Sequence, residues 1–271
     1  MLVGPQESTQ TSICTSKSRF QGEKALKTLL KAVLAVAIVT AVAVSVNADP
    51  SLNLSTMVKS GYLGGNGNMF SRDPVIQSDL FVTFENGVWL DIWNSEGLTS
   101  DLDDGYDDEI DVGAGWAGAI GGGMSLNAGI NYFNVYSITK LDKSDLVQLF
   151  AEVTASDLTV DLFGAKMTPY VRVETLKDMG NDSVNFESVT SIGEKIAVSV
   201  TDKVGIAAKV SLSYDPGIFG VEPGLRGAAE GQVNLKVSDK LTLTPIWAKA
   251  VNEFETHTIN YVLGTGLSVA F

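Results

Sequence analysis

Cysteine and histidine are almost missing from this chain: its 271 residues contain one of each, Cys14 and His257. That excludes a disulfide-stapled fold, a thiolate zinc site and, beyond residue 14, a cysteine nucleophile. A hydrolytic or lipid-modifying site of the Ser-His kind needs a histidine beside a serine, whereas His257 stands between Thr256 and Thr258 and near Glu253 and Glu255. It reads as an interfacial or loop histidine, and no catalytic residue is assigned. Basic residues are also few. Lys and Arg number 19 against 32 Asp and Glu, a formal charge of −13, which is the wrong sign for nucleic acid or an anionic membrane surface. The glycine clusters at 64–67 and 121–123 lack the lysine and the helix of a phosphate-binding loop. After residue 48 no apolar run reaches the length of a transmembrane helix.

What is present starts with an export signal. Lys24, Lys27 and Lys31 precede an apolar run from Ala32 to Val46, broken only by Thr40 and Ser45, and Val46-Asn47-Ala48 offers the small residues a signal peptidase reads. Residues 1–48 are therefore expected to be a cleaved signal peptide, with the polar leader before Lys24 pointing to a translation start nearer that lysine. Cys14 leaves with this segment. The remaining chain, 49–271, keeps 14 basic and 30 acidic residues, a net charge of −16. If it spans a membrane it must do so as a closed barrel, because an open sheet edge in lipid leaves backbone groups unpaired.

Its pattern is a period of two, the repeat that sends successive side chains to opposite faces of a strand. The tail shows it best: Ile259, Tyr261, Leu263, Thr265, Leu267, Val269 and Phe271 share one face, with Asn260, Val262, Gly264, Gly266, Ser268 and Ala270 on the other. Working backwards from there gives twelve strands, at about 52–62, 76–85, 88–96, 108–120, 124–136, 145–155, 158–176, 184–200, 204–214, 226–237, 241–251 and 259–271. Short turns alternate with long loops, as in a single-chain barrel with both ends on the periplasmic side. Glu85-Asn86-Gly87 is a hairpin turn. In strand seven the apolar face changes parity between Leu162 and Val171, and a β-bulge near Gly164 and Pro169 is expected to restore it. Strand eight puts Glu194 on the same face as Ile192, Ile196 and Val198. Tyr62, Tyr136 and Tyr214 fall at strand ends, where an aromatic girdle would sit. The fold class expected is all-β, a transmembrane antiparallel up-and-down barrel of twelve strands.

The inward faces hold the candidate pore-lining residues: Asp79, Glu85, Trp89, Asp91, Trp93, Asp111, Glu152, Asp161, Arg172, Glu174, Lys209 and Glu230. Phe81, Phe133, Phe150 and Phe163 share that side and are expected either to line a slot for a ring-bearing solute or to fill space. Acids and bases either pair across a plugged interior or border a narrow water path whose excess negative charge favours cations or neutral solutes. The acidic stretch Asp101-Leu-Asp-Asp-Gly-Tyr-Asp-Asp-Glu109 does not have the spacing of the helical calcium loop. It reads as a solvated outer loop, with weak divalent-ion binding shared with lipopolysaccharide phosphates as the alternative. No metal site and no cofactor are assigned.

Two resemblances narrow the class. The ending, with Gly266, Val269 and Phe271 in place, is similar to the closing strand of bacterial outer-membrane barrels, which implies the barrel-assembly machinery as a partner through Phe271 and outer-membrane lipid and lipopolysaccharide as surroundings. Ser60-Gly-Tyr62, Pro74-Val-Ile-Gln77, Gly87-Val-Trp89 with Trp93, and Glu109-Ile-Asp111-Val-Gly113 resemble the TorF-type porin family over residues 58–136. The Arg-Gly-x-Ser element that usually precedes the proline in that family is displaced or lost here, where Asn68-Met-Phe-Ser-Arg72 stands instead. The resemblance implies a Gram-negative outer-membrane pore passing small solutes. The alternatives are a non-conducting structural or surface-interaction barrel and an outer-leaflet lipid-modifying barrel.

Overall fold

The computed structural model describes residues 49–64, 67–98, 109–134, 146–178, 187–217 and 223–271. The signal-peptide reading, Cys14, Tyr136 and the acidic stretch before Glu109 lie outside the described residues. Twelve long strands form the wall: β1 Ser51–Lys59, β2 Val75–Thr83, β3 Val88–Gly97, β4 Glu109–Gly121, β5 Met124–Asn134, β6 Leu146–Ala155, β7 Ala165–Asp178, β8 Glu187–Ser199, β9 Val204–Asp215, β10 Gly224–Lys236, β11 Leu241–Glu253 and β12 Thr258–Ala270. Each pairs antiparallel with its sequence neighbours, and β1 pairs with β12, Asn53 facing Ala270 and Lys59 facing Gly264. The twelve-stranded wall is closed, so none of the twelve is an edge and no row of their backbone groups is left for lipid.

The alternation in the sequence sorts side chains as a membrane wall requires. Leu149 on β6, Ile192 on β8 and Leu263 on β12 stand outward and are 46, 54 and 55% exposed. On a water-soluble protein that much bare hydrocarbon would mark a binding face; around a closed barrel it is the lipid-facing band. The inward positions hold the polar and charged residues, together with aromatic rings that lie flat on glycines. A Cβ on Gly129 would meet Trp89 Cζ2 at 2.6 Å, one on Gly193 would meet Tyr170 Cε1 at 2.8 Å, and one on Gly264 would meet Trp247 Cε3 at 3.3 Å. Gly115 presses still closer on the Trp89 ring. Four glycines on the inner face thus make beds for three large rings that would otherwise fill the centre.

The strands match the sequence reading closely, with five departures. Strand seven is not one bulged strand: Val160–Leu162 folds back on Ala165–Met167, and the turn between them places both Phe163 (φ 55°) and Gly164 (φ 83°) in the left-handed region. The parity change is a hairpin reversal, and Pro169 pairs regularly with Glu194. The bulge lies instead on β11 between Thr244 and Trp247, where Pro245 has no N–H to give the ladder. Glu85 sits in the turn after β2 and is exposed, not on the inner wall. Asp161 and Phe163 are exposed in the small hairpin, Asp161 accepting the Gly164 amide at 3.0 Å. Short–long alternation also fails at the end: β11 and β12 are joined by the tight turn Phe254–His257, on which His257 is exposed with φ 55°.

β8 pairs on both sides without a shift. Glu194 therefore does face outward with Ile192 and Ile196.

Filling a glycine bed should loosen the wall without changing its topology. Gly115→Val is expected to cost about 1–3 kcal/mol, the usual penalty of overpacking. Urea unfolding of the detergent-solubilised barrel, followed by Trp fluorescence, measures it; an unchanged midpoint would show that Trp89 does not rest there.

Candidate functional site: the barrel interior

The interior has three levels. At the end opposite the chain termini, the segment after β1 turns inward. Tyr62–Leu63 pairs with Met69–Ser71 as a short hairpin, held by four kinds of contact. The Tyr62 hydroxyl donates to Glu109 Oε2 at 2.6 Å, and its ring lies 5.6 Å from that of Trp93. Leu63 packs with Trp247, Val251 and Val262 on the opposite side of the mouth. Lys249 Nζ donates to the carbonyls of Leu63 at 3.2 Å and Gly64 at 3.0 Å, and Asn260 Nδ2 donates to the Gly67 carbonyl at 3.1 Å. Gly67 (φ 95°) runs so close to Val251 that a Cβ there would stand 2.8 Å from Val251 Cγ1. The hairpin therefore spans from β4 to β12 and narrows the opening. Tyr62 accordingly is no girdle residue: it is half-buried against Glu109, whereas among the described residues Tyr214 and Tyr261 are exposed outward, 53 and 67%.

Below the hairpin lies the charged level, and its two sides differ. On β2, β3 and β4, Asp79, Asp91 and Asp111 stand on adjacent strands, Asp91 beside Phe81 and Gly113, and Asp111 beside Trp93. On β6 to β9 one carboxylate gathers three cations: Glu152 is 2.5 Å from Lys195 Nζ, 3.3 Å from Lys209 Nζ and 3.9 Å from Arg172 Nη1. Arg172 also pairs with Glu174 at 2.8 Å. Gln148 Nε2 donates to Glu174 at 3.1 Å and accepts from Asn131 Nδ2 at 2.8 Å, so a polar row runs across β5, β6 and β7. Rings hold the cations in place from beneath: Arg172 lies 4.2 Å from the Phe150 centroid and Lys209 lies 4.4 Å from that of Tyr170. Phe81, Trp89 and Phe150 follow one another around the wall at 5.8 and 6.0 Å, and Trp89 Nε1 donates to Asn127 at 3.0 Å. Such cation–ring contacts are worth about 0.5–2 kcal/mol each.

Between these sides, on β1, β10 and β11, Glu230 accepts from Trp247 Nε1 at 2.8 Å and Lys59 lies 4.0 Å over the Trp247 ring.

The third level, at the terminus end, is an open vestibule. A cavity of about 520 Å³ is lined by Ser55, Ser199, Gln232, Asn234, Thr244 and Ser268 among others. Its walls mix hydroxyl and amide groups with charged Asp202, Lys203 and Lys236 and apolar Met57, Val204 and Leu267, a mouth suited to water and small polar solutes.

Ten of the twelve residues expected on the lumen are on the inner wall: Asp79, Trp89, Asp91, Trp93, Asp111, Glu152, Arg172, Glu174, Lys209 and Glu230. Trp89 is only 4% exposed and lies in the wall instead of bordering free space. Glu85 and Asp161 are in exposed turns, as described above. Sequence reading missed Lys249 and the Asp215–Arg226 pair, whose atoms meet at 2.6 Å with both side chains almost fully buried. Their inward parity in β9, β10 and β11 was the available signal. Among the described residues, no group of three or more His, Cys, Asp or Glu is placed to hold a metal ion.

A closed twelve-stranded wall with an apolar outside and a charged inside is the architecture of a bacterial outer-membrane protein. Comparison with one solved structure, the KdgM porin, agrees on the fold. The KdgM porin in complex with disordered oligogalacturonate superposes with a TM-score of 0.50 at 9% identity, over 82% of this chain and 99% of that one. The NanC porin gives 0.49 at 11% identity over 80% and 98%. The COG4313 outer membrane channel from Pseudomonas putida F1 gives 0.48 at 10% over 83% and 97%. No family model matches the chain, and no curated protein matches it in sequence.

Docking of the hairpin is open to test. Burial, with the Glu109 and Asp111 carboxylates nearby, pushes the Tyr62 phenol well above its ordinary value. A proton held more tightly in the folded state stabilises docking at every pH below the ordinary tyrosine range, and that contribution is lost only as strong alkali ionises the phenol. Leu63→Asp, which places a charge in the apolar cluster, should therefore raise trypsin cleavage after Arg72 several-fold at neutral pH. Raising the pH from 7 to 9 in wild type should not; equal cleavage in both proteins would mean the hairpin is not held by Leu63.

Proposed function

We propose that the protein is a passive channel of the bacterial outer membrane for small solutes, with a weak preference for cations or neutral molecules. The observation that carries it is the polar vestibule at one end of a lumen that, among the described residues, only the hairpin narrows. Charge supports the preference. At and above the charged level, leaving aside the Asp215–Arg226 pair, the inner wall carries Asp79, Asp91, Glu109, Asp111, Glu152, Glu174 and Glu230 against Lys59, Arg172, Lys195, Lys209 and Lys249, a formal surplus of acid by two. Excess charge of one sign along a narrow path biases ion passage accordingly. Twelve strands enclose more than the eight whose side chains just fill a barrel, and less than the sixteen of wide porins.

The TorF-type resemblance supports the same reading, and its residues converge in space. Tyr62 meets Trp93 and Glu109, Gln77 Nε2 donates to Ser95 at 3.3 Å, and Trp89 rests against Gly113 and Gly115. Membership of that family is part of the proposal. So are the partners: outer-leaflet lipopolysaccharide around the apolar band, and the assembly machinery reading Phe271, which is 65% exposed at the chain end. A non-conducting barrel keeps the same fold and would owe its narrowness to the docked hairpin.

Planar-bilayer recording under a salt gradient decides. Discrete conductance steps with a small reversal potential of the cation-selective sign are expected. Deleting residues 62–71 should raise the single-channel conductance about two-fold or more, since the narrowest segment dominates the resistance. A purified, heat-modifiable barrel that never conducts, with or without the hairpin, would overturn the channel.

A further inference from the structure

The charged level is polar across its diameter, not merely acidic. β3 and β9 lie six strands apart in a ring of twelve, and so face each other. Their charges are at similar height: Asp79 and Asp91 stand four and three residues from the terminus-side ends of their strands, Thr83 and Val88, and Lys195 and Lys209 four and five from theirs, Ser199 and Val204. None of the ion pairs among the described residues involves Asp79, Asp91 or Asp111. Asp79 and Asp91 instead hydrogen-bond to each other, sharing a proton so that the pair presents one negative charge, and Asp111 bonds likewise to Glu109; the second oxygen of each aspartate is buried without a partner. Opposite them, Arg172, Lys195 and Lys209 share Glu152 and Glu174, which leaves one positive charge uncompensated. The side chains of Lys195 and Lys209 are still 43 and 40% exposed to the lumen.

We infer that the lumen selects zwitterionic solutes, small molecules carrying an ammonium and a carboxylate together. Such a molecule turns its ammonium to the Asp79–Asp91 side and its carboxylate to the Lys195–Lys209 side, and so gains at both walls. A net cation or anion gains at one wall and is repelled by the other. A neutral sugar gains from neither. Each such contact is weakened by solvent, so the pair sets relative rates several-fold without trapping the solute. The aromatic faces of Phe150 and Tyr170 fix the cations of one wall and keep them from crossing to neutralise the other.

This inference rests on the channel reading, and one experiment separates the two. Proteoliposomes containing the purified chain from residue 49 are swollen in four solutes of similar size: arabinose (neutral), glutamine (zwitterion), glutamate (anion) and ornithine (cation). Glutamine is expected to enter at least about three-fold faster than arabinose. Asp79→Asn with Asp91→Asn should bring the glutamine-to-arabinose ratio towards one and raise glutamate relative to ornithine. Lys195→Gln with Lys209→Gln should lower the same ratio and raise ornithine instead. Arabinose entering as fast as glutamine in wild type overturns the zwitterion inference and leaves the channel standing. Exclusion of arabinose and all three others overturns the channel and the inference with it. A glutamine-to-arabinose ratio left unchanged in both variant pairs, with only the glutamate-to-ornithine ratio moving, would show that net charge, not the field across the lumen, sets the preference.

Discussion

A sheet in hydrocarbon has nowhere to leave an unpaired backbone group, and closure of the ring through β1 and β12 answers that requirement for the whole molecule. Everything else follows from having an inside and an outside. Each strand must offer hydrocarbon on one side and something water-compatible on the other, with a period of two, for as long as it crosses. Ile192, Leu212 and Leu263 are tolerated bare because lipid covers them. The charged residues are then collected inside, where twelve strands bring distant parts of the chain within a few ångströms. Glu152 and Lys209 are 57 residues apart in sequence and meet at 3.3 Å.

Collecting charge beside large aromatic rings creates a second problem, since Trp and Tyr side chains standing upright from the wall would take up much of the lumen. The glycines at 115, 129, 193 and 264 relieve it by letting Trp89, Tyr170 and Trp247 lie against the backbone. A ring lying flat takes little width and presents a face on which Arg172, Lys209 or Lys59 rests. The same glycines cost the wall conformational entropy and side-chain packing, which the ring covering each of them partly offsets. Width and charge placement thus come from one device.

The fold was readable because a period of two needs no knowledge of tertiary contacts. Strand limits came within a few residues, and even Glu194, which spoils the apolar face of β8, was correctly assigned to it. What escaped was every place where the chain reverses within a run that still alternates. Leu162 to Ala165 keeps enough β character to pass for a bulged strand, yet the left-handed backbone at Phe163 and Gly164 folds it back. That reversal carried Asp161 and Phe163 out of the wall. Ser60-Gly61 did the opposite, turning Tyr62 inward where parity placed it outward; a Cβ on Gly61 would stand 2.7 Å from the Ser71 carbonyl. The alternation assigns a side of the wall only while the chain stays in the wall.

The interior site was half readable for a related reason. Parity places Asp91 and Lys209 inside, but only the closed topology sets them across from each other. The number of strands between them, and the tilt that brings their heights together, are properties of the ring and of no single strand. A count of lumen charges yields a small acidic surplus and, from that, a weakly cation-preferring pore. The arrangement adds a direction: acid without a cation partner on β2 to β4, base crowded on β7 to β9, with Tyr62 and Leu63 narrowing the approach above them. A solute that reached that plane would meet acid on one wall and base on the other while confined by the hairpin, and the zwitterion inference rests on that geometry.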